Sequence, residues 1–113
     1  MSTISTHVLD TARGRPAEGL ALRLERRDGE DWVGIGGGVT DNDGRVRTLV
    51  DASAGLSVGI YRMSFETGAW FQAQRLEGFY PIVQVVFEIM SPDAHFHVPL
   101  LLSPFGYSTY RGS

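Results

Sequence analysis

Residues 95–102 read His95-Phe96-His97-Val98-Pro99-Leu100-Leu101-Leu102, and the spacing within this octapeptide decides the fold. Phe96, Val98, Leu100 and Leu102 fall on every second position. A repeat of two belongs to a strand with one face on a core, whereas a helix would space its apolar residues by three and four. The same rhythm runs through Leu20, Leu22 and Leu24, through Tyr61, Met63 and Phe65, and through Val83, Val85, Phe87 and Ile89. Between these runs lie stretches of turn chemistry: Arg13-Gly14-Arg15-Pro16, Arg27-Asp28-Gly29-Glu30, Asp41-Asn42-Asp43-Gly44, Ser91-Pro92-Asp93 and Ser103-Pro104-Phe105-Gly106. The pattern predicts strands over 4–10, 20–27, 31–39, 45–50, 59–67, 82–90, 94–102 and 106–111. Eight short strands with regular turns argue an all-β sandwich. One stretch, 69–77, lacks the alternation, is rich in helix formers and stops before Gly78, so one short helix is expected there. At 113 residues the chain is expected to form a single domain, 1–113, large enough to bury a core.

Composition narrows the chemistry. A net charge of −3 gives no attraction to nucleic acid or to anionic lipid, so neither is expected as a partner. No apolar run approaches the roughly 20 residues that span a bilayer. The opening Met1-Ser2-Thr3-Ile4-Ser5-Thr6-His7 lacks the basic and apolar regions of a signal peptide, so the cytoplasm is the expected location. Cysteine is absent, which excludes disulfides, thiolate catalysis and thiolate metal sites. All ten basic residues are arginine, which excludes Schiff-base chemistry and a Walker-type phosphate loop. An enzyme built from this chain must work with His, Arg, carboxylates and hydroxyls.

Parity fixes where the histidines point. With Phe96, Val98, Leu100 and Leu102 on the core, His95 and His97 face outward. If Ile4 and Val8 point inward, Ser5, His7 and Leu9 face outward as well. A solitary strand histidine is most often a solvated surface residue. Here the outer faces also carry Leu9 and Leu101, a mixture that points to a subunit interface or to a site built at one.

Three motif-like stretches carry less than they promise. Gly34-Ile35-Gly36-Gly37-Gly38-Val39 begins like a dinucleotide loop, but Val39 takes the place of the third glycine and the setting is a β-meander, so glycine bulges are expected. Asp41-Asn42-Asp43-Gly44 resembles part of a calcium loop, yet Val50 stands where the bidentate Glu belongs; it reads as a tight turn. His95 and His97 share a strand face as metal ligands would, but a third ligand would have to come from His7 by tertiary contact, and no metal is expected.

Taken in order along the chain, Thr6-His7-Val8-Leu9-Asp10, Gly14-Arg15-Pro16, Thr40-Asp41-Asn42-Asp43-Gly44-Arg45, Gly59-Ile60-Tyr61, His97-Val98-Pro99-Leu100-Leu101-Leu102-Ser103-Pro104 and Tyr110-Arg111-Gly112-Ser113 resemble the transthyretin-related family, and within it the branch of 5-hydroxyisourate hydrolases. The resemblance spans nearly the whole chain, and the terminal tetrapeptide separates that branch from the hormone-carrying transthyretins. Residues 26–38 are longer than the family pattern, which lengthens one hairpin. The resemblance implies a transthyretin-like, eight-stranded sandwich with one short helix. It implies ring-opening hydrolysis of 5-hydroxyisourate to 2-oxo-4-hydroxy-4-carboxy-5-ureidoimidazoline in urate breakdown, with no metal or organic cofactor. It also implies a homotetramer, a dimer of dimers, with the site at the dimer–dimer interface, and it carries the functional positions onto His7, Arg45, His97 and the tetrapeptide.

Those residue types suit the reaction. Water attacking a ring carbonyl needs a base, a cation beside the developing oxyanion and groups that hold the ring. A neutral imidazole is a base near pH 7, so His7 and His97 are the candidates, one taking the proton and the other orienting or relaying it. Arg45, always charged and forked, suits the carbonyl oxygen. Tyr110, Arg111 and Ser113 are expected to close the pocket and bind substrate, while His95 lies further out on the same face. The alternative is a transthyretin-like carrier of a hormone or metabolite, whose channel should be mostly apolar. A purely adhesive sandwich would leave the motifs without a role.

Overall fold

The computed structural model describes residues 3–50, 56–91 and 94–112. Two sheets face each other across the apolar residues that the period-two pattern picks out. The first contains β1 (Thr3–Asp10), β2 (Arg15–Pro16), β5 (Arg45–Val46), β8 (His95–Ser103) and β9 (Gly106–Thr109). Its order is β2-β1-β8-β9, with β5 also paired to β1. The second has the order β4-β3-β6-β7, from β3 (Ala21–Asp28), β4 (Asp31–Val39), β6 (Gly59–Phe65) and β7 (Val83–Ile89). The pairings are antiparallel except one: β1 and β8, the two strands that carry the histidines, run parallel.

Ile4, Val8, Phe96, Val98, Leu100 and Leu102 from the first sheet meet Leu22, Leu24, Tyr61, Met63, Phe65 and Ile89 from the second. Burying each such side chain contributes about 1.5–3 kcal/mol, so a one-residue slip of any strand would forfeit several of these at once. Buried polar groups are tied down. Thr6 donates to the Val98 carbonyl at 2.6 Å, and Thr40 donates to the Ala17 carbonyl at 2.6 Å while accepting from Leu20 N at 2.9 Å. Asp10 accepts from Arg13 N and Nε at 3.1 and 2.7 Å. No helix among the described residues is long and apolar enough to cross a membrane.

The eight expected strands all appear, with corrections at their ends. The strand expected over 45–50 is only Arg45–Val46, because the chain then crosses toward the other sheet, where the Leu49 carbonyl accepts from Gly37 N of β4 at 3.0 Å. A two-residue strand, β2, occupies part of what reads as a turn, and pairs Leu9 and Asp10 with Pro16 and Arg15. The glycine run does sit at a bulge: the β3–β4 register slips between Leu24 and Glu25. The long hairpin closes on Gly29-Glu30, between the paired Asp28 and Asp31.

The helix is α1, Thr67–Ala73, not 69–77. Its stop signal is Arg75, at φ +59°, with Leu76 N on the Phe71 carbonyl at 2.9 Å and Arg75 N on Gln72 at 3.0 Å. That is the double hydrogen bond of a left-handed helix end, made here without glycine. Gly78 serves packing instead, since a Cβ there would lie 2.4 Å from the Phe71 ring. The turn over 91–93 falls partly outside the described residues.

Candidate active site

The site grows from the central position of β1. On one side His7 lies opposite Arg45 of β5. On the other, Thr3, Ser5 and His7 lie opposite His95, His97 and Pro99 of β8. Parity sends Ile4, Thr6 and Val8 to the core, so Ser5, His7, Arg45, His95 and His97 share the outer face. The Asp41–Gly44 turn sets Arg45 in place. Asp41 Oδ1 accepts from Asp43 N at 2.9 Å and Arg45 N at 3.0 Å, and the Gly44 carbonyl accepts from Val8 N at 2.7 Å. The backbone hydrogen bond from Arg45, above all, holds the Asp41 carboxyl below its ordinary range.

His97 is half-buried, with Nδ1 2.8 Å from Ser5 Oγ. Burial pushes its pKa below that of an ordinary histidine, and the charges of Arg45, His7 and His95 push the same way against the opposing hydrogen bond with Ser5. The imidazole is therefore neutral near pH 7, the form that accepts a proton. His95 is exposed, with Nε2 3.1 Å from the same Ser5 hydroxyl and Nδ1 on Thr3 Oγ1.

A cleft of about 290 Å³ is lined by Ser5, Thr6, Arg45, Arg47, His95 and His97. A second, of about 570 Å³, is lined by His7, Leu9, Pro16, Asp43, Arg45 and Arg47. Arg45 and Arg47 border both, so the two arginines sit between His7 and His97. This arrangement can accept a proton and hold an anion or a polarised carbonyl. No group of three or more His, Cys, Asp or Glu residues that could hold a metal ion occurs among the described residues.

The chain end lies on the far side of His97. In the β8–β9 register Leu100 faces Thr109, and the same register returns where Gly112 N donates to the His97 carbonyl at 2.8 Å. Between them Pro99 has no N–H to offer Tyr110, and the ladder lapses. Arg111 turns its guanidinium over the Phe96 ring, 4.9 Å from its centre. Tyr110 and Arg111 line a groove with Phe96, His97, Val86 and Met90, so within one subunit they border His97 but not Arg45. Gly112 is required where it stands, because a Cβ would come 2.6 Å from Cδ2 of His97. Ser113 lies outside the described residues.

Parity gave Ser5 its outward place but no role, and Arg47, two positions from Arg45, was passed over although the same parity could have found it. What parity could not reveal is the parallel pairing that brings Ser5 against His97.

Comparison with known proteins gives the chain's family. The sequence matches the HIUase/Transthyretin family over residues 4–112. It is 46% identical over 117 residues to the 5-hydroxyisourate hydrolase of Caulobacter vibrioides, covering all of both chains. Among solved structures, the 5-hydroxyisourate hydrolase of Klebsiella pneumoniae superposes with a TM-score of 0.86 at 40% identity, over 98% of this chain and 99% of that one. Sea bream transthyretin in complex with thyroxine superposes with a TM-score of 0.89 at 32% identity, over 97% and 94%. With the family pattern matched from the first core residue of β1 to the glycine against His97, the chain belongs to the HIUase/Transthyretin family.

Proposed function

We propose that this protein is a 5-hydroxyisourate hydrolase, opening the six-membered ring of an oxidised purine by addition of water. The convergence of His7, Arg45 and His97 on one outer face, around clefts that two arginines share, carries the reading. The hydrolase relatives, which match the chain end to end, support it. The imidazoles of His7 and His97 act on the attacking water, one removing a proton and the other orienting or relaying it. The Arg45 guanidinium lies beside the carbonyl oxygen on which charge develops, where a fixed cation lowers the barrier most. Tyr110, Arg111 and Ser113 bind substrate, contributed across a subunit boundary, since Tyr110 and Arg111 lie away from Arg45 within one chain. The assembly is a homotetramer, a dimer of dimers with the site where dimers meet. The half-buried outer Leu9 and Leu101 and the 67% exposed Phe105 supply apolar surface for that contact. The reaction needs no metal or organic cofactor, and the cytoplasm is its place.

The carrier reading draws on the close superposition with sea bream transthyretin. Against it stands the density of ionisable groups, which an aromatic ligand would have to desolvate. Ultraviolet absorbance of freshly generated 5-hydroxyisourate, followed with and without protein, separates the two. Acceleration over spontaneous decay is expected; its absence sinks the hydrolase reading.

A further inference from the structure

We propose that Ser5 and His95 form a proton line behind His97, through which the proton taken from the attacking water is passed on to His95. The proposal rests on the hydrolase reading and extends it to two residues that reading leaves without a role. Ser5 is the positioning residue of this line, acting on the reaction only through His97.

The geometry is a row of alternating hydroxyls and imidazoles. His97 Nδ1 stands 2.8 Å from Ser5 Oγ, Ser5 Oγ stands 3.1 Å from His95 Nε2, and His95 Nδ1 meets Thr3 Oγ1. All four groups lie on one face because β1 and β8 pair in parallel with Thr3 opposite His95 and Ser5 opposite His97. A serine has a single hydroxyl proton, so it can donate to only one of the two rings. If Ser5 donates to His95, it accepts from Nδ1–H of His97, and Nε2 of His97 keeps its lone pair for the cleft. If Ser5 donates to His97, Nε2 of His97 carries the proton instead. The orientation of one hydroxyl decides whether His97 presents a base or an acid.

The line balances through a full turnover. The water O–H bond breaks as its oxygen joins the ring carbonyl carbon, and the proton bonds to Nε2 of His97. The Nδ1 proton of His97 moves to Ser5 Oγ while the Ser5 proton moves to Nε2 of His95. His97 ends neutral, Ser5 is regenerated and His95 is an imidazolium, still donating from Nδ1 to Thr3. The Nε2–H of His97 then protonates the departing ring nitrogen as the shift runs backward, and His95 returns to neutral.

The direction of the shift follows from surroundings. His97 is half-buried and faces Arg45 and His7, with Arg47 bordering the same cleft and Arg111 lining the groove on its other side. Charge on its ring is disfavoured by desolvation and by those cations. His95 is exposed, and water hydrates its imidazolium.

Steady-state kinetics of Ser5→Ala, Ser5→Thr, His95→Gln and the Ser5→Ala/His95→Gln double variant test the line in the full-length protein. Ser5→Ala is expected to lower kcat about tenfold or more, a fraction of what general acid–base catalysis supplies, with KM within about twofold. Ser5→Thr, which keeps the hydroxyl, restores most of the rate. His95→Gln costs about as much as Ser5→Ala, and the double variant is no slower than either, as for members of one network. Nitrogen NMR of the imidazoles gives a readout independent of turnover: His97 should carry its proton on Nδ1 in the wild type and shift tautomer in Ser5→Ala. A folded Ser5→Ala with unchanged kcat, losses that add in the double variant, or an unchanged His97 tautomer would each overturn the line. Wild-type protein inactive on 5-hydroxyisourate overturns the hydrolase reading itself, whereas an active wild type with unaffected variants overturns the line alone.

Discussion

The outer faces of the two sheets treat charge in opposite ways. On the β4-β3-β6-β7 sheet Arg62 and Arg23 are matched by carboxylates. Arg62 donates to both oxygens of Glu25, at 3.0 and 2.8 Å, and its guanidinium lies 4.3 Å from the centre of the Trp32 ring. Ser64 donates to the same carboxylate at 3.0 Å, and Arg23 reaches Glu66 at 3.3 Å. The Arg62 hydrogen bonds hold the Glu25 carboxyl below its ordinary range. On the β5-β1-β8 face, Arg45, Arg47 and three histidines crowd together, and neither arginine has an ion pair among the described residues. The first face is settled and needs nothing further. The second carries mutual repulsion that a bound anion or oxyanion would relieve, so it can favour a transition state over the empty site.

Deleting residues 110–113 should break this comparison most sharply. Activity is expected to vanish while far-ultraviolet circular dichroism and melting temperature change little, because none of the described residues of that segment, 110–112, is buried. Full activity in a folded deletion variant would reduce the chain end to an ordinary edge. Next in size, His7→Ala and His97→Ala should each lower kcat about a hundredfold or more, and Arg45→Ala by a similar factor. All three should keep the wild-type melt, since these side chains face away from the core; unfolding of any would mean the face has been misassigned.

A smaller effect separates the faces by pH. Because His97 titrates below the ordinary value of about 6.5, the acid limb of kcat/KM should lie below that value. Arg45→Gln should raise the limb toward it while slowing the reaction. The sign for stability follows from the same direction. Above the unfolded value neither state binds the proton, and the group contributes nothing. As pH falls through that value the unfolded chain binds it first, and stability is lost until the folded value is passed. A limb at or above the ordinary value would contradict the burial and charge described here. Smallest of all on turnover is Glu25→Gln: roughly 1 kcal/mol of stability should go with the bidentate pair, read as a lowered melting temperature, with kcat unchanged.

Most of the fold was legible because alternation is a local signal. Leu20, Leu22 and Leu24 or Phe96, Val98 and Leu100 declare a strand and its buried side without reference to anything else. The orientation of His7, His95 and His97 follows from the same parity. Events that depend on distant partners were not legible. Nothing near Val46 announces that the chain leaves β1 for Gly37 of the other sheet. Arg75 ends the helix in a conformation usually left to glycine, while the glycine three residues later answers to the Phe71 ring. Ser5 looks like any outward serine until the parallel strand places it between two imidazoles.

That parallel pairing also has a temporal side. Residues joined across β1 and β8 are 92 positions apart, whereas β3–β4 and β8–β9 are hairpins of neighbours in sequence. Contacts of such long range form late, because a large loop of chain must be ordered before they reward it. A growing chain can therefore assemble β3 and β4, and then β6 and β7, while β1 still waits for its partner. His7 and His97 meet only when β8 slots in beside β1. Onset of turnover during refolding should lag the first appearance of β-structure, which makes catalysis itself a clock for the closing step.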